Sequence, residues 1–154
     1  MYEAKEIAAE VIRIAKEIDD FSMSNLKLQK VLYFLQANHL VHNKRRLFAD
    51  RIEAVDFGPI VWDVYMQYRA HGGLHLLYTN PDTVAFPVDK DTSLEIRKTI
   101  EEMREYSSTT LLDLIHHQDP WINAYYDDGW VDRKTGKVIK EITPESLYIY
   151  FKEA

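Results

Sequence analysis

The chain has 154 residues, 46% apolar and 29% charged, a balance that supports one folded domain and not a disordered chain. It contains no cysteine, which excludes disulfide frameworks, thiol nucleophiles, thiolate zinc sites and iron–sulfur clusters. The formal net charge is −6, weighted to the second half, so there is no long-range pull on phosphate and nucleic acid is a poor expectation.

The opening residues carry Glu3, Glu6 and Glu10 and lack the apolar region of a secretory signal. No apolar run nears the ~20 residues that span a bilayer. The expectation is a soluble, cytoplasmic protein without a membrane partner. Residues 4–19 predict an amphipathic helix, because Ile7, Ala8, Val11, Ile14, Ala15 and Ile18 follow the 3.6-residue period. Arg13 can pair with Glu17 one turn on.

Ser24 is an N-cap for a second helix over residues 25–41, with Leu28, Val31, Leu32 and Leu35 as its core stripe. Lys27 stands in its first turn, where the helix dipole disfavours a cation. Either an acid holds it, Asp19 or Asp20, or it serves something other than helix stability. A basic turn, Asn43-Lys44-Arg45-Arg46, follows. Alternation over residues 51–55 predicts a short strand, which Asp56-Phe57-Gly58-Pro59 interrupts.

Pro59 suits the first turn of a third helix, with Val61, Val64, Tyr65 and Tyr68 inward and His71-Gly72-Gly73 at its end. Residues 76–78 and 84–86 read as a hairpin around Asn80-Pro81-Asp82. A fourth helix capped by Asp91 or Thr92 buries Ile96, Ile100 and Met103. A fifth, capped by Ser107 or Ser108, buries Leu111, Leu114 and Ile115 and stops before Pro120. Residues 121–126 add one helical turn. Val131 and Val138-Ile139 flank a surface turn, and Thr143-Pro144-Glu145 opens a last helix that packs through Leu147, Tyr150 and Phe151. The prediction is a mainly α fold: a compact single domain of five to six helices with one or two short β-hairpins.

Catalytic chemistry finds little support. His116, His117 and Asp119 cluster in sequence, but adjacent histidines at a helix end point apart, and His39 with His42 lacks a third ligand, so no metal is expected. No Gly-x-Ser-x-Gly elbow, P-loop or Gly-x-Gly-x-x-Gly motif occurs, so neither a catalytic residue nor a cofactor is assigned. Asp127 and Asp128, next to Gly129, are turn formers. Lys44-Arg45-Arg46 with Arg51 reads as a solvated turn or a protein-docking point. Trp62, Trp130 and Tyr125-Tyr126 are either flank packing or partner anchors, since aromatics dominate interface hot spots.

Three stretches carry a resemblance. They are Ser24-Asn25-Leu26-Lys27-Leu28-Gln29-Lys30-Val31-Leu32-Tyr33-Phe34, the run from Phe48 through Asp56-Phe57-Gly58-Pro59-Ile60-Val61 to Tyr65, and Leu114-Ile115-His116 ahead of Pro120-Trp121 with the tail from Ile142 to Phe151. In this order they resemble the Panacea-domain proteins, the SocA-like or GepA-like family common in phages and prophages. The resemblance implies a single domain over residues 1–154. It also implies an antitoxin of a toxin–antitoxin module that binds a cognate toxin protein and neutralises it. The alternative it implies is a proteolytic adaptor that delivers a toxin or other client to an ATP-dependent protease. Some members carry extra DNA-binding segments; with a first helix expected from residue 4, autoregulation by DNA binding is not expected of this chain. Two positions depart from the family pattern: Val55, where an aromatic is usual, and Trp62, where small or polar residues are common. On this resemblance the expected partner contacts are Lys27, Gln29, Lys30, Tyr33, Trp62 and Tyr65. Ser24, Leu28, Leu32, Gly58, Pro59, His116 and Trp121 are expected to build the fold.

Overall fold

A computed structural model describes residues 1–71, 76 and 88–154. The first helix, α1 (Ala4–Glu17), starts where the Glu3 amide donates to the Glu6 carboxylate at 2.9 Å. It stops two residues before the sequence expectation because Asp19 turns left-handed, with φ 54°. The Ile18 and Asp20 amides then close on the Ile14 and Ala15 carbonyls.

The second helix, α2 (Asn25–Asn43), is the axis of the molecule. Ser24 caps it, its hydroxyl accepting from the Lys27 amide at 3.2 Å. Leu28, Val31, Leu32 and Leu35 are fully buried, as the periodicity required. Burial does not stop at that stripe, because other elements pack on α2 from several sides: α1, α4, α5 and α7 all touch it. Six of its polar residues, Asn25, Lys27, Gln29, Lys30, Gln36 and His39, are buried too, and each makes a hydrogen bond. The Gln36 carbonyl accepts from the Leu47 and Phe48 amides (2.8 and 3.3 Å) while its amide donates to the Phe48 carbonyl. Gln29 accepts from the Val61 amide at 2.9 Å and donates to Asn25. Asn25 in turn donates to the Tyr65 carbonyl. These bonds satisfy loop backbone that has no ladder of its own.

The next element corrects the sequence expectation. Residues of β1 (Ile52–Val55) and β2 (Gly58–Ile60) form an antiparallel hairpin around Asp56-Phe57, with Ala54 opposite Pro59. Pro59 is therefore a strand residue and not the first turn of a helix. An edge strand tolerates a residue without an amide proton, and β2 is an edge in the order β2-β1-β5. Gly58, at φ 111°, lets the chain reverse so tightly, and a Cβ there would lie 3.2 Å from the Leu112 side chain.

Helix α3 (Trp62–Tyr68) follows and ends in a 3₁₀ turn over Arg69–His71. The Gly72-Gly73 stop and the hairpin expected over residues 76–78 and 84–86 lie outside the described residues, apart from Leu76, which is buried. Helix α4 (Lys90–Met103) starts earlier than expected, capped by Asp89, whose carboxylate accepts from the Thr92 amide and hydroxyl. Helix α5 (Ser108–His116) is capped by Ser107, and α6 (Asp119–Tyr126) is a full two turns where one was expected. A ribbon of β3 (Trp130–Val131) and β4 (Val138–Ile139) precedes β5 (Glu141–Ile142), which pairs with the free edge of β1. Thr143 caps α7 (Pro144–Phe151), which packs on α2.

The fold is mainly α, with seven α-helices among the described residues and one continuous apolar core. No helix among them is long and apolar enough to cross a membrane.

Candidate protein-binding interface

The motif side chains of α2 point inward. Lys27 is fully buried, and its ammonium donates to the Ser22 hydroxyl (2.7 Å) and the Met103 and Arg104 carbonyls (2.8 and 3.5 Å). Misplaced for the dipole of its own helix, it sits at the C-terminal end of α4, where a cation is favoured. Burial lowers its pKa, and the negative charges of Asp20 and Glu105 oppose that shift. Asp20 thus helps hold it, as the sequence reading allowed. Tyr33 is also fully buried, its hydroxyl donating to the Gln118 side chain at 2.8 Å and its ring set edge-on to Phe34 and Phe151. Burial pushes that hydroxyl's pKa well up.

Lys30 is 1% exposed and donates to the Leu26 carbonyl one turn back at 3.2 Å; no carboxylate pairs with it among the described residues. Burial depresses its pKa from 10.5 to about 8. Between those values the unfolded chain holds a proton that the folded one has released, so stability rises with pH. Below pH 8 the folded state carries an unfavourable buried charge. Lys30→Met is therefore expected to stabilise the protein at pH 7 by about 1–3 kcal/mol. The gain should shrink towards pH 10, and any contribution of Tyr33 is common to both proteins and cancels in their difference. Urea unfolding of both proteins at pH 7 and 9.5 measures it, and an equal difference at the two pH values would refute the assignment.

Four of the six expected contacts, Lys27, Gln29, Lys30 and Tyr33, thus lie inside the protein and offer no surface to a partner. The other two are on the outside. Trp62, 40% exposed, opens α3 with its ring edge-on to half-buried Tyr65 at 5.8 Å, and Phe57 continues the row 6.0 Å from Tyr65.

His116 and Trp121 brace the β1–β2 turn. His116 Nε2 bonds the Asp56 carbonyl at 3.0 Å, and the Trp121 indole donates to the Val55 carbonyl at 3.0 Å. Trp121 stacks on Tyr125 with centroids 4.4 Å apart, and the Tyr125 hydroxyl donates to the Asp56 carboxylate. Beside this brace lies an open cleft of about 660 Å³, walled by β1, Asp56, Phe57 and residues 125–128. Ala54, Val55 and Lys140 also line a second hollow of about 340 Å³ that reaches Trp62 and exposed Val138. The result is one concave face running from Trp62 to Tyr126.

Phe57 comes to this face with the β1–β2 turn itself, whereas Lys140 and Val138 carry no binding signal in the sequence and reach it only through the return of β4 and β5 across β1. The remaining candidates stay apart. His39 bonds Glu95, and His42 and His117 each bond a carbonyl of their own helix. Among the described residues no three potential metal ligands converge. The exposed Lys44 leans on the Tyr148 ring.

Residues 28–122 match the family model described as antitoxin SocA-like, Panacea domain. The chain belongs to the SocA-like Panacea family. Antitoxin SocA of Caulobacter vibrioides (strain NA1000 / CB15N) is 31% identical over 118 residues, which cover 66% of this chain and 60% of that protein. No solved structure matches. The Panacea match takes in α2 from Leu28 onward, the β1–β2 hairpin and the His116–Trp121 brace. It ends before Tyr125 to Lys140, the outer wall of the cleft.

Proposed function

We infer that this chain is an antitoxin that neutralises a cognate toxin protein by binding it directly, without catalysis. The observation that carries this reading is the Panacea match over residues 28–122. The concave face from Trp62 to Tyr126 supports it, because the motif polar groups are occupied within the fold and this face leaves aromatic and charged groups open. A net charge of −6 suits a basic toxin, since complementary charge speeds encounter. We take residues 1–154 as one domain, a reading supported by the core that α1 and α7 share with α2. Its place of action is the cytoplasm.

Coexpression with the toxin encoded beside it should restore growth. Failure to rescue, with both proteins soluble, would remove the reading. A toxin whose half-life shortens in the presence of this chain would instead indicate delivery to an ATP-dependent protease. Trp62→Ala is expected to weaken the complex at least about tenfold while leaving the melting temperature unchanged, because a partly exposed tryptophan contributes more to an interface than to the core. Calorimetric titration of the toxin against both proteins measures it.

A further inference from the structure

Three carboxylates, those of Asp56, Asp127 and Asp128, stand around the cleft between β1 and the end of α6. Asp128 makes no hydrogen bond or ion pair among the described residues. The Asp127 side chain accepts from the Gly129 amide at 2.7 Å, and that of Asp56 accepts from the Tyr125 hydroxyl. None of the three pairs with a cation among those residues. The lysine lining the cleft, Lys140, is already engaged: its ammonium donates to the Tyr125 carbonyl at 2.8 Å and lies 5.2 Å from that ring. The cleft therefore holds three negative charges against one positive.

Its walls are aromatic. Tyr126 is 76% exposed and stands edge-on to Tyr125, and Phe57 is half-buried opposite. An open ring beside carboxylates without a cation is the environment a guanidinium fits best. It is planar and weakly hydrated, stacks on a ring and donates two parallel hydrogen bonds to a carboxylate. The adjoining hollow contains this arrangement within the chain. Arg51 lies 5.2 Å from the Trp130 ring while it reaches Glu53 at 3.2 Å and Asp132 at 3.6 Å.

We propose that the cleft receives an arginine-bearing segment of the toxin, its guanidinium stacked on Tyr126 and paired with one of the carboxylates that line the cleft, Asp56, Asp127 or Asp128. The proposal rests on the antitoxin reading and names the chemistry the partner must bring. A volume of about 660 Å³ exceeds one arginine side chain, so residues flanking it enter too. The continuous face gives them Trp62 as a second anchor.

Two measurements on the full chain test this. The first uses a hexapeptide carrying two arginines and its analogue with citrulline, which is isosteric and uncharged, in an amide NMR titration. The arginine peptide should shift the resonances of residues 126–128 and bind at least about tenfold more tightly than the citrulline peptide. Equal binding of the two, shifts elsewhere, or no shift at millimolar peptide would overturn the proposal.

The second pairs Asp127→Asn with Asp128→Asn, a change that keeps the acceptor for Gly129 while removing charge, and separately makes Tyr126→Ala. Both variants should lose at least about tenfold in toxin affinity with the melting temperature retained. Full affinity in both would overturn the proposal and leave the antitoxin reading standing, because the unmodified chain would still rescue growth. If the unmodified chain fails to rescue, the antitoxin reading falls, and with it the toxin as occupant; the peptide comparison still decides the cleft's chemistry.

Discussion

Lys27→Glu is expected to unfold the protein, or to remove about 4 kcal/mol or more of its stability. The substitution reads as a surface probe in the sequence, where Lys27 is an unexplained cation in a motif. In the structure the ammonium lies under the loop that joins α1 to α2, facing the Ser22 hydroxyl and the last carbonyls of α4. A carboxylate there would meet two carbonyl oxygens with no proton to offer. It would also stand near Asp20 and Glu105, whose negative charges now favour the lysine. Leaving a buried charge unpaired is among the most destabilising single changes. Lys27→Met separates charge from packing: it keeps the stem, removes the ammonium and should cost less than the reversal. Urea unfolding with circular dichroism reads both. A native spectrum and unchanged unfolding midpoint in Lys27→Glu, together with lost toxin binding, would return Lys27 to the interface.

The same lysine shows where sequence reasoning works and where it stops. Periodicity located α1, α2 and α4 because a one-sided apolar stripe at 3.6 residues has few other meanings. Caps at Ser24, Ser107 and Thr143 were legible because a side chain that accepts from the third amide is a local arrangement. Helix α2 defeated the next step. On a helix packed from several sides, polar residues are not the exposed remainder after the stripe is removed. Gln29 and Gln36 are buried because loop amides thirty-two and eleven residues away need an acceptor, a demand no local pattern encodes.

Pro59 misled for a related reason. Its ring fits a helix start and an edge strand equally well, and only the pairing of Ala54 with Pro59 decides between them. The candidate face was half legible. Trp62 and Tyr126 stood out as aromatics lacking a place in a stripe. Lys140 and Val138 reach the same face only through the return of the chain between α6 and α7, which is tertiary information.

That return makes Trp121 the residue on which the fold and the proposed interface depend together. It is 5% exposed, donates to the Val55 carbonyl, stacks on Tyr125 and lies 4.2 Å from the His116 ring. Trp121→Ala should cost about 3–5 kcal/mol, the range for emptying a buried aromatic site. Trp121→Phe keeps a ring for Tyr125 to stack on but removes the indole proton, and should cost about 1–2 kcal/mol from the unmet hydrogen bond. The phenylalanine variant is the informative one. With the fold retained, loss of the Val55 bond loosens β1 against α6, and those two elements form the walls of the cleft. On the antitoxin reading, toxin affinity should then fall together with protection of the Val55 and Asp56 amides from hydrogen exchange, while α1 and α4 keep theirs. Weakened binding with no change in that exchange pattern would show that Trp121 acts other than through the β1–α6 brace.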